Sequence, residues 1–317
     1  MDKKLILAKA PLRCSFLGGG SDIPAHYLQW GGSTISLAID KYVYVAVGKT
    51  PQNHIKINYS KQECVTDVDD IQHDIVRNAL KFFRIKSNIE ITTFADIPTI
   101  GTGLGGSSAF TSAFVVALVK YVGYRTYNEY ELAETACHIE IDLCGFKIGK
   151  QDTYASAFGG MNYIQYLTSD RVLVHKMDTN DIDVHMVLIP TNVQRHASDI
   201  LGKVDFEKSS YVIRELSLMA DLQHVYLPVA NDYGSLLNKA WDLKKQMEDG
   251  ISNPDIDILY DRCIMAGASG AKLLVAGGGG YLLAMTDNKS KIKNEFSDRV
   301  CLDVQICNQG AGVVYAD

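Results

Sequence analysis

The chain has no close cysteine pair, no membrane-length apolar run, no basic excess, and no repeated or low-complexity tract, and each absence closes a class of function. Its seven cysteines stand apart with no C-x-x-C pair, so thiolate zinc sites are excluded and reduced, mostly buried thiols are expected. The eight histidines form no H-x-x-x-H or H-E-x-x-H pair. No transition metal is therefore expected, and His138 reads as helix surface or core. The longest apolar stretch, around Ala109 to Val119, falls well short of the ~20 residues of a spanning helix, so no membrane partner is expected. A formal net charge of −6 supplies no basic surface for general binding to nucleic acid; any anionic ligand must be held locally. The opening Met1 to Ala8 has the look of a leader segment, but Lys9 and Arg13 interrupt it early. A retained N-terminus and a cytoplasmic location are the expectation.

With 317 residues the chain exceeds one typical core, which suggests two lobes with a cleft between them. The first 65 residues alternate β-branched and aromatic residues with polar ones, as in Val43-Tyr44-Val45-Ala46-Val47, and read as strands and turns. Ile71 to Arg84 has helical spacing, and Ile89 to Phe94 returns to strand chemistry before Pro98. Ser107–Tyr121 and Asn128–Leu143 read as two helices, the second opened by an Asn cap with acidic residues behind it. Met161–Gln165, Val172–Lys176 and Val184–Ile189 read as strands. Ser209 to Gly267 is mostly helical with a break at Asn253-Pro254, and strands flank Gly277-Gly278-Gly279-Gly280. The expected class is α+β with mixed sheets, in lobes 1–180 and 181–317. Without a Pro/Ser-rich linker, the lobes should share an extensive interface.

The richest segment is Pro98-Thr99-Ile100-Gly101-Thr102-Gly103-Leu104-Gly105-Gly106-Ser107-Ser108-Ala109. Glycines between a strand and a helix let backbone N–H groups converge on a phosphate at the positive end of the helix dipole, and the serines can add hydroxyl contacts to phosphate or metal. A strand-to-helix turn with an ordinary Ser cap is the plainer alternative. Gly101, Gly103 and Gly106 also satisfy G-x-G-x-x-G, but a dinucleotide fold would next need a strand ending in an acidic residue, and residues 121–141 carry a second helix. No G-x-x-x-x-G-K-[ST], H-R-D or D-F-G occurs, which removes P-loop enzymes and protein kinases.

This segment resembles the second motif of the GHMP kinase superfamily, P-x-x-x-G-L-G-S-S-A-A. Ala10-Pro11-Leu12-Arg13 with Gly18-Gly19-Gly20-Ser21-Asp22 resembles the first motif, and Ala276-Gly277-Gly278-Gly279-Gly280-Tyr281 the third. The resemblance implies a two-lobed kinase with its active site in the cleft, using ATP and Mg²⁺. It implies that Gly101, Gly103, Leu104, Gly105, Gly106, Ser107 and Ser108 wrap the ATP phosphates, and that Gly20, Ser21, Asp22, Gly278 and Gly279 meet the sugar. Glu140 and Asp152 are separated as the metal-binding Glu and the catalytic Asp are in galactokinases, with Gly149 at the matching offset. By that likeness Asp152 accepts the hydroxyl proton, Arg13 holds Asp152 ionised, and Glu140 with Ser107 binds Mg²⁺, Ser108 standing in reserve.

Gly19 and Gly20 stand where galactokinases have a Glu-His pair, which speaks against galactose. The stretch Ala10 to Pro24, with Ile39-Asp40-Lys41-Tyr42-Val43-Tyr44-Val45 and Gly149-Lys150-Gln151-Asp152, resembles the branch that phosphorylates D-glycero-D-manno-heptose 7-phosphate at its anomeric oxygen. Thr153 replaces that branch's usual Gln, so local hydrogen bonding should differ. A substrate that already carries phosphate needs a cation at its far end. Arg195, Lys9 and Lys150 are candidates, with His196 beside Arg195, and a solvated surface role is the alternative for each. Tyr27 and Trp30 either line a sugar pocket or pack as core. Three readings compete with this branch: a fucokinase-like enzyme, a catalytically silent sugar and nucleotide sensor, and a decarboxylase of the mevalonate branch. The expected partner is a small sugar phosphate, with no macromolecule; the sequence leaves the oligomeric state open.

Overall fold

A computed structural model describes residues 5–99, 101–179, 182–193, 204–226, 232–274 and 279–317. Strand β1 (Leu5–Leu17) begins with one face buried and ends with both, and it runs antiparallel to the long β2 (Gly32–Lys49). β2 serves two neighbours in turn. Its first half pairs with β6 (Met161–Tyr166) and its second with β5 (Ile89–Ala95). Register shifts between Pro11 and Leu12 and between Ser15 and Leu17 bracket Arg13, and such irregularities re-aim the side chains beside them. β3 (Ile55–Asn58) lies parallel to β5 and antiparallel to β4 (Gln62–Val65), and β7 (Val172–Met177) continues from β6, so the sheet is mixed.

A second, antiparallel sheet contains β8 (Met186–Pro190), β9 (Gly270–Leu273), β10 (Tyr281–Met285) and β11 (Leu302–Asp303), in the order β11-β8-β10-β9. The last strand, β12 (Gly312–Ala316), returns to the edge of the first sheet against β1. The first sheet therefore takes residues 5–177 and 312–316, and the second takes 186–303.

Helix α3 (Gly106–Val122) is buried along most of its length, as an almost wholly apolar helix must be, and packs on β1 and β2 and against α4 (Glu129–Cys137) and α5 (Gln151–Phe158). Asn128 and Glu131 close a full capping box at the start of α4. The expected helix to Leu143 changes character at His138, where a wider π-helical turn carries the chain to Leu143, marked by Cys144 N–H donating to the Ile139 carbonyl at 2.9 Å. α1 (Pro24–Trp30) and α2 (Asp74–Phe82) complete the first half, and α6 (Ser210–Tyr226), α7 (Tyr233–Lys245), α8 (Pro254–Met265) and α9 (Lys289–Glu295) belong to the second. α6 packs on β1 and β2, and the buried Lys272 of β9 donates to the carbonyls of Ser15 and Phe16 at 3.0 and 2.8 Å, so the halves interlock. Among the described residues no helix is long and apolar enough to cross a membrane.

Three helices were not expected from the sequence: α1, α5 and α9, the last a short helix in a stretch where only strands were expected. α1 carries its own signal, Pro24 at the first position and Gly31 after the last, but it sits in a run dominated by strand chemistry. α5 has no local cap: the carboxylate that receives its Gln151 N–H, at 3.1 Å, belongs to Asp22, far away in the chain.

Candidate active site

The glycine-rich loop enters α3 through Gly105, whose φ of 72° is the left-handed conformation that favours glycine. A Cβ there would lie 3.0 Å from Arg13 Cγ and 3.4 Å from Asp152 Oδ2, so the missing side chain lets backbone approach both residues. At Gly106 a Cβ would come within 2.5 Å of Thr99. Gly101, Gly103, Gly105, Gly106, Ser107 and Ser108 all line one cavity of about 680 Å³. Leu104 instead points into the core, and its carbonyl accepts the backbone N–H of Arg13 at 2.9 Å, tying the loop to β1. Tyr59, His73, Phe94 and Phe110 are aromatic walls of the same cavity.

Arg13 and Asp152 meet at the end of this cavity. The guanidinium grips the carboxylate by both oxygens, Nε to Oδ1 and Nη2 to Oδ2, each at 2.7 Å, while Nη1 donates to the Gly103 carbonyl. Such a planar fork fixes the carboxylate as a lysine could not. Asp152 lies in the first turn of α5, where the helix dipole favours negative charge. Thr153, in place of the branch's Gln, donates to the Lys150 carbonyl at 2.9 Å and so stays within that turn.

Glu140 stands on the π-helical turn, fully buried, and its oxygens accept from Ser107 Oγ at 2.6 Å and Ser108 Oγ at 2.8 Å. Burial raises its pKa to about 7, against the two hydroxyls, which pull it down. Among the described residues no group of three or more His, Cys, Asp and Glu side chains gathers to hold a metal. Mg²⁺ does not ask for one: it is commonly held by one or two carboxylates, with substrate phosphates and water supplying the rest. A buried carboxylate joined to two hydroxyls beside a phosphate-sized glycine loop fits that demand.

On the other face of the Arg13–Asp152 pair lies a second cavity, of about 80 Å³, with Gly20, Asp22, Gln151, Lys244 and Met247 among its walls. Asp22 is buried, and both its oxygens are engaged by backbone N–H groups, Gly20 at 3.0 Å and Gln151 at 3.1 Å. Burial, reinforced by the nearby charge of Asp152, raises its pKa against those N–H groups. Asp22 thus holds the start of α5, and with it Asp152, as much as it faces the cavity. Leu274 lines both cavities, and Tyr281 N–H donates to the Thr102 carbonyl at 3.2 Å, so the third motif reaches the glycine loop.

Several expectations are corrected here. Ser21 is fully buried, donates to the Gly18 and Ser33 carbonyls at 2.8 and 3.0 Å, and lines neither cavity; its hydroxyl braces the turn. Gly279 packs against the Val193 carbonyl and also lines neither. Lys9 lies over the Tyr42 ring at 4.0 Å, away from both cavities. Lys150 is buried against Asp170 at 2.8 Å, so its charge is already met inside the protein. Tyr27 is core, its hydroxyl donating to Asp170 at 2.6 Å, and Trp30 lines neither cavity. Arg195, His196 and Gly278 lie outside the described residues. The sequence reading passed over Gln151 and Lys244, both in the smaller cavity. In the sequence Gln151 stands only as part of the Gly149 to Asp152 fingerprint, and Lys244 resembles any lysine in the last turn of a helix.

A model of the GHMP kinases N terminal domain matches residues 74–160, and one of the GHMP kinases C terminal region matches residues 229–299. The chain is 29% identical over 312 residues to the D-glycero-alpha-D-manno-heptose 7-phosphate kinase of Campylobacter jejuni, covering 91% of each protein. It is 28% identical over 294 residues to the mevalonate kinase of Methanothermobacter thermautotrophicus, covering 87% of this chain and 89% of that one. A solved structure of a D-glycero-D-manno-heptose 1-phosphate kinase from Bacteroides thetaiotaomicron has the same fold, with a TM-score of 0.79 at 23% identity over 98% of this chain and 99% of that one.

Proposed function

Given that the chain belongs to the GHMP kinase family, we propose that it transfers the γ-phosphoryl group of ATP to the anomeric hydroxyl of D-glycero-D-manno-heptose 7-phosphate. The product, heptose 1,7-bisphosphate, would feed nucleotide-activated heptose and surface polysaccharide synthesis in the cytoplasm. The observation that carries this reading is the Arg13–Asp152 fork, standing where a phosphate-cradling cavity meets a smaller one. Heptose 7-phosphate is the substrate named for the Campylobacter relative, which supports this branch of the family.

In the proposed mechanism the loop from Gly101 to Ser108 and the start of α3 receive the ATP phosphates through backbone N–H groups. The anomeric hydroxyl gives its proton to Asp152 as its oxygen bonds to the γ-phosphorus; the bond to the bridging oxygen breaks and ADP leaves with that electron pair. Arg13 holds the Asp152 carboxylate in one plane throughout, so little orientation remains to be found during transfer. Gly20 offers the sugar a wall without a side chain, and Asp22 keeps α5 in place beneath it. Ser107 and Glu140, with Ser108 in reserve, would hold Mg²⁺, whose bound charge neutralises the phosphates. The retention of Asp152, Arg13, Glu140 and Ser107 together speaks against a silent sensor. The same reading divides the chain near residue 180, with the β12 strand returned to the first lobe.

The test is a panel of D-glycero-D-manno-heptose 7-phosphate, the free heptose, fucose, galactose and mevalonate with ATP and Mg²⁺, read by ADP formation and product mass. Heptose 7-phosphate should react fastest, giving a product one phosphoryl group heavier that has lost its reducing end. If free fucose or galactose reacts as fast, the branch is wrong. ATP use with CO₂ release would instead point to a decarboxylase.

A further inference from the structure

Helix α6 carries apolar residues on two opposite faces, and only one of those faces is buried. Ile213, Leu216 and Ala220 point inward, where α6 packs on β1, β2 and β6 and against α7. Tyr211, Leu218, Leu222 and Val225 are 68%, 46%, 48% and 69% exposed. Their spacings of seven, four and three residues set them in one stripe on the side away from the buried three. A helix that is apolar all round is normally covered all round, as α3 is along most of its length. Single exposed apolar side chains are ordinary, whereas a stripe of four running almost the length of a helix marks a contact surface. None of the four lines either cavity, so the stripe is separate from the candidate active site.

The charges beside the stripe decide what fits it. Arg214 and Asp221 stand seven residues, or two turns, apart on the same flank, with the cation toward the start of the helix and the anion toward its end. Asp221 is held at that flank by the Tyr163 hydroxyl, which donates to its Oδ1 at 2.7 Å, and Arg214 is exposed. Two copies of α6 laid antiparallel about Leu218 bring Arg214 of each against Asp221 of the other, whereas a parallel pair sets like charges level. In that antiparallel register Leu218 meets its own copy near the two-fold axis and Tyr211 meets Val225. Leu222 then fills the gap between Leu218 and Tyr211 of the other helix. The surface is thus complementary to itself, which is what a two-fold contact requires.

We infer that the outer face of α6 is an interface between two copies of this chain, which pair antiparallel through Tyr211, Leu218, Leu222 and Val225 with reciprocal Arg214–Asp221 ion pairs. The 17 residues of α6 extend about 25 Å, and a strip about 10 Å wide along them comes to about 250 Å² per copy. A stable complex buries about 800 Å² per partner, so this pairing is weak and depends on protein concentration. It holds whichever acceptor the site takes.

Sedimentation velocity of the full chain between about 1 and 200 µM reads the assembly, with circular dichroism melting as the check that each variant folds. Wild type passes from monomer to dimer across that range. Leu218→Glu places two carboxylates near the axis and weakens the dimer by about 100-fold or more, leaving monomer throughout. Arg214→Glu and Asp221→Lys each weaken it by about 10-fold, because like charges then face each other twice. Combined in one chain, the two changes exchange the charges and bring the dissociation constant back to within about 3-fold of wild type, a rescue that no other register gives. A wild type that stays monomeric to 200 µM overturns the proposal, including one in which Leu218→Glu only lowers the melting temperature, since the stripe is then covered from within the chain. A dimer that neither Leu218→Glu nor the charge variants weaken lies elsewhere on the molecule and overturns it too. A dimer lost in Leu218→Glu but not rescued by the charge exchange overturns the antiparallel pairing.

Discussion

The two cavities that meet at Arg13 and Asp152 are built in opposite ways. The larger, of about 680 Å³, has the end proposed for phosphate lined by residues of one continuous stretch, Gly101 to Ser108, whose two serines donate to Glu140. The smaller, of about 80 Å³, draws Gly20, Asp22, Gln151, Lys244 and Ile251 from distant parts of the chain and falls well under the ~300 Å³ of an ordinary ligand pocket. A sugar enters it only if a wall gives way. A local cradle suits the donor that the whole family shares, whereas a composite wall can change one residue at a time and so suits the acceptor that varies.

The sharpest way to break this comparison is to remove Arg13, which lines both sides. Arg13→Met should lower kcat/KM by about 1000-fold, because the Asp152 carboxylate loses both clamps and the Gly103 carbonyl its donor. Steady-state kinetics that showed only one substrate's KM changing, with kcat held, would mean the pair does not couple the sides. On the larger side alone, Glu140→Gln should raise the Mg²⁺ concentration for half-maximal rate on the order of 10-fold, with the sugar KM hardly moved. A magnesium titration showing no shift removes Glu140 from the metal site.

Gly149→Ala acts on the smaller side through packing. A Cβ at that position would lie 1.8 Å from Asp22 Oδ2, so the start of α5 must shift. We expect a loss of about 1–3 kcal/mol in urea unfolding and a raised sugar KM with the ATP KM largely kept. The smallest effect belongs to Lys9→Ala, which touches neither cavity. Activity should stay within about 2-fold, and stability should fall by about 0.5–1 kcal/mol with the loss of the Tyr42 contact. A larger fall in activity on heptose 7-phosphate than on free heptose would return Lys9 to the substrate.

The same contrast explains what could be read from the sequence. The glycine loop, its flanking strand and α3 are legible because each is specified by neighbours in the chain, and Arg13, Glu140 and Asp152 followed from a family spacing that the fold turns into contact. α5 was not legible because its cap, Asp22, comes from the turn after β1; that Asp was expected to meet the sugar, and it lines the smaller cavity while also holding a helix end. Lys150 and Lys9 looked available for phosphate because sequence shows a charge but not the Asp170 or Tyr42 that meets it. Lys244 was missed for the converse reason: a lysine near a helix C-terminus is ordinary until the fold places it beside Asp22 and Arg13.

The central claim is that Asp152 borders both substrates yet matters chiefly while the phosphoryl group moves, and Asp152→Asn tests it most directly. Turnover with ATP and heptose 7-phosphate should be measured beside calorimetric binding of each substrate alone. The account predicts a kcat lower by at least ~100-fold, with both affinities within about 3-fold of wild type. A variant that keeps more than about a tenth of the wild-type kcat, or one that loses ATP binding along with turnover, would contradict it.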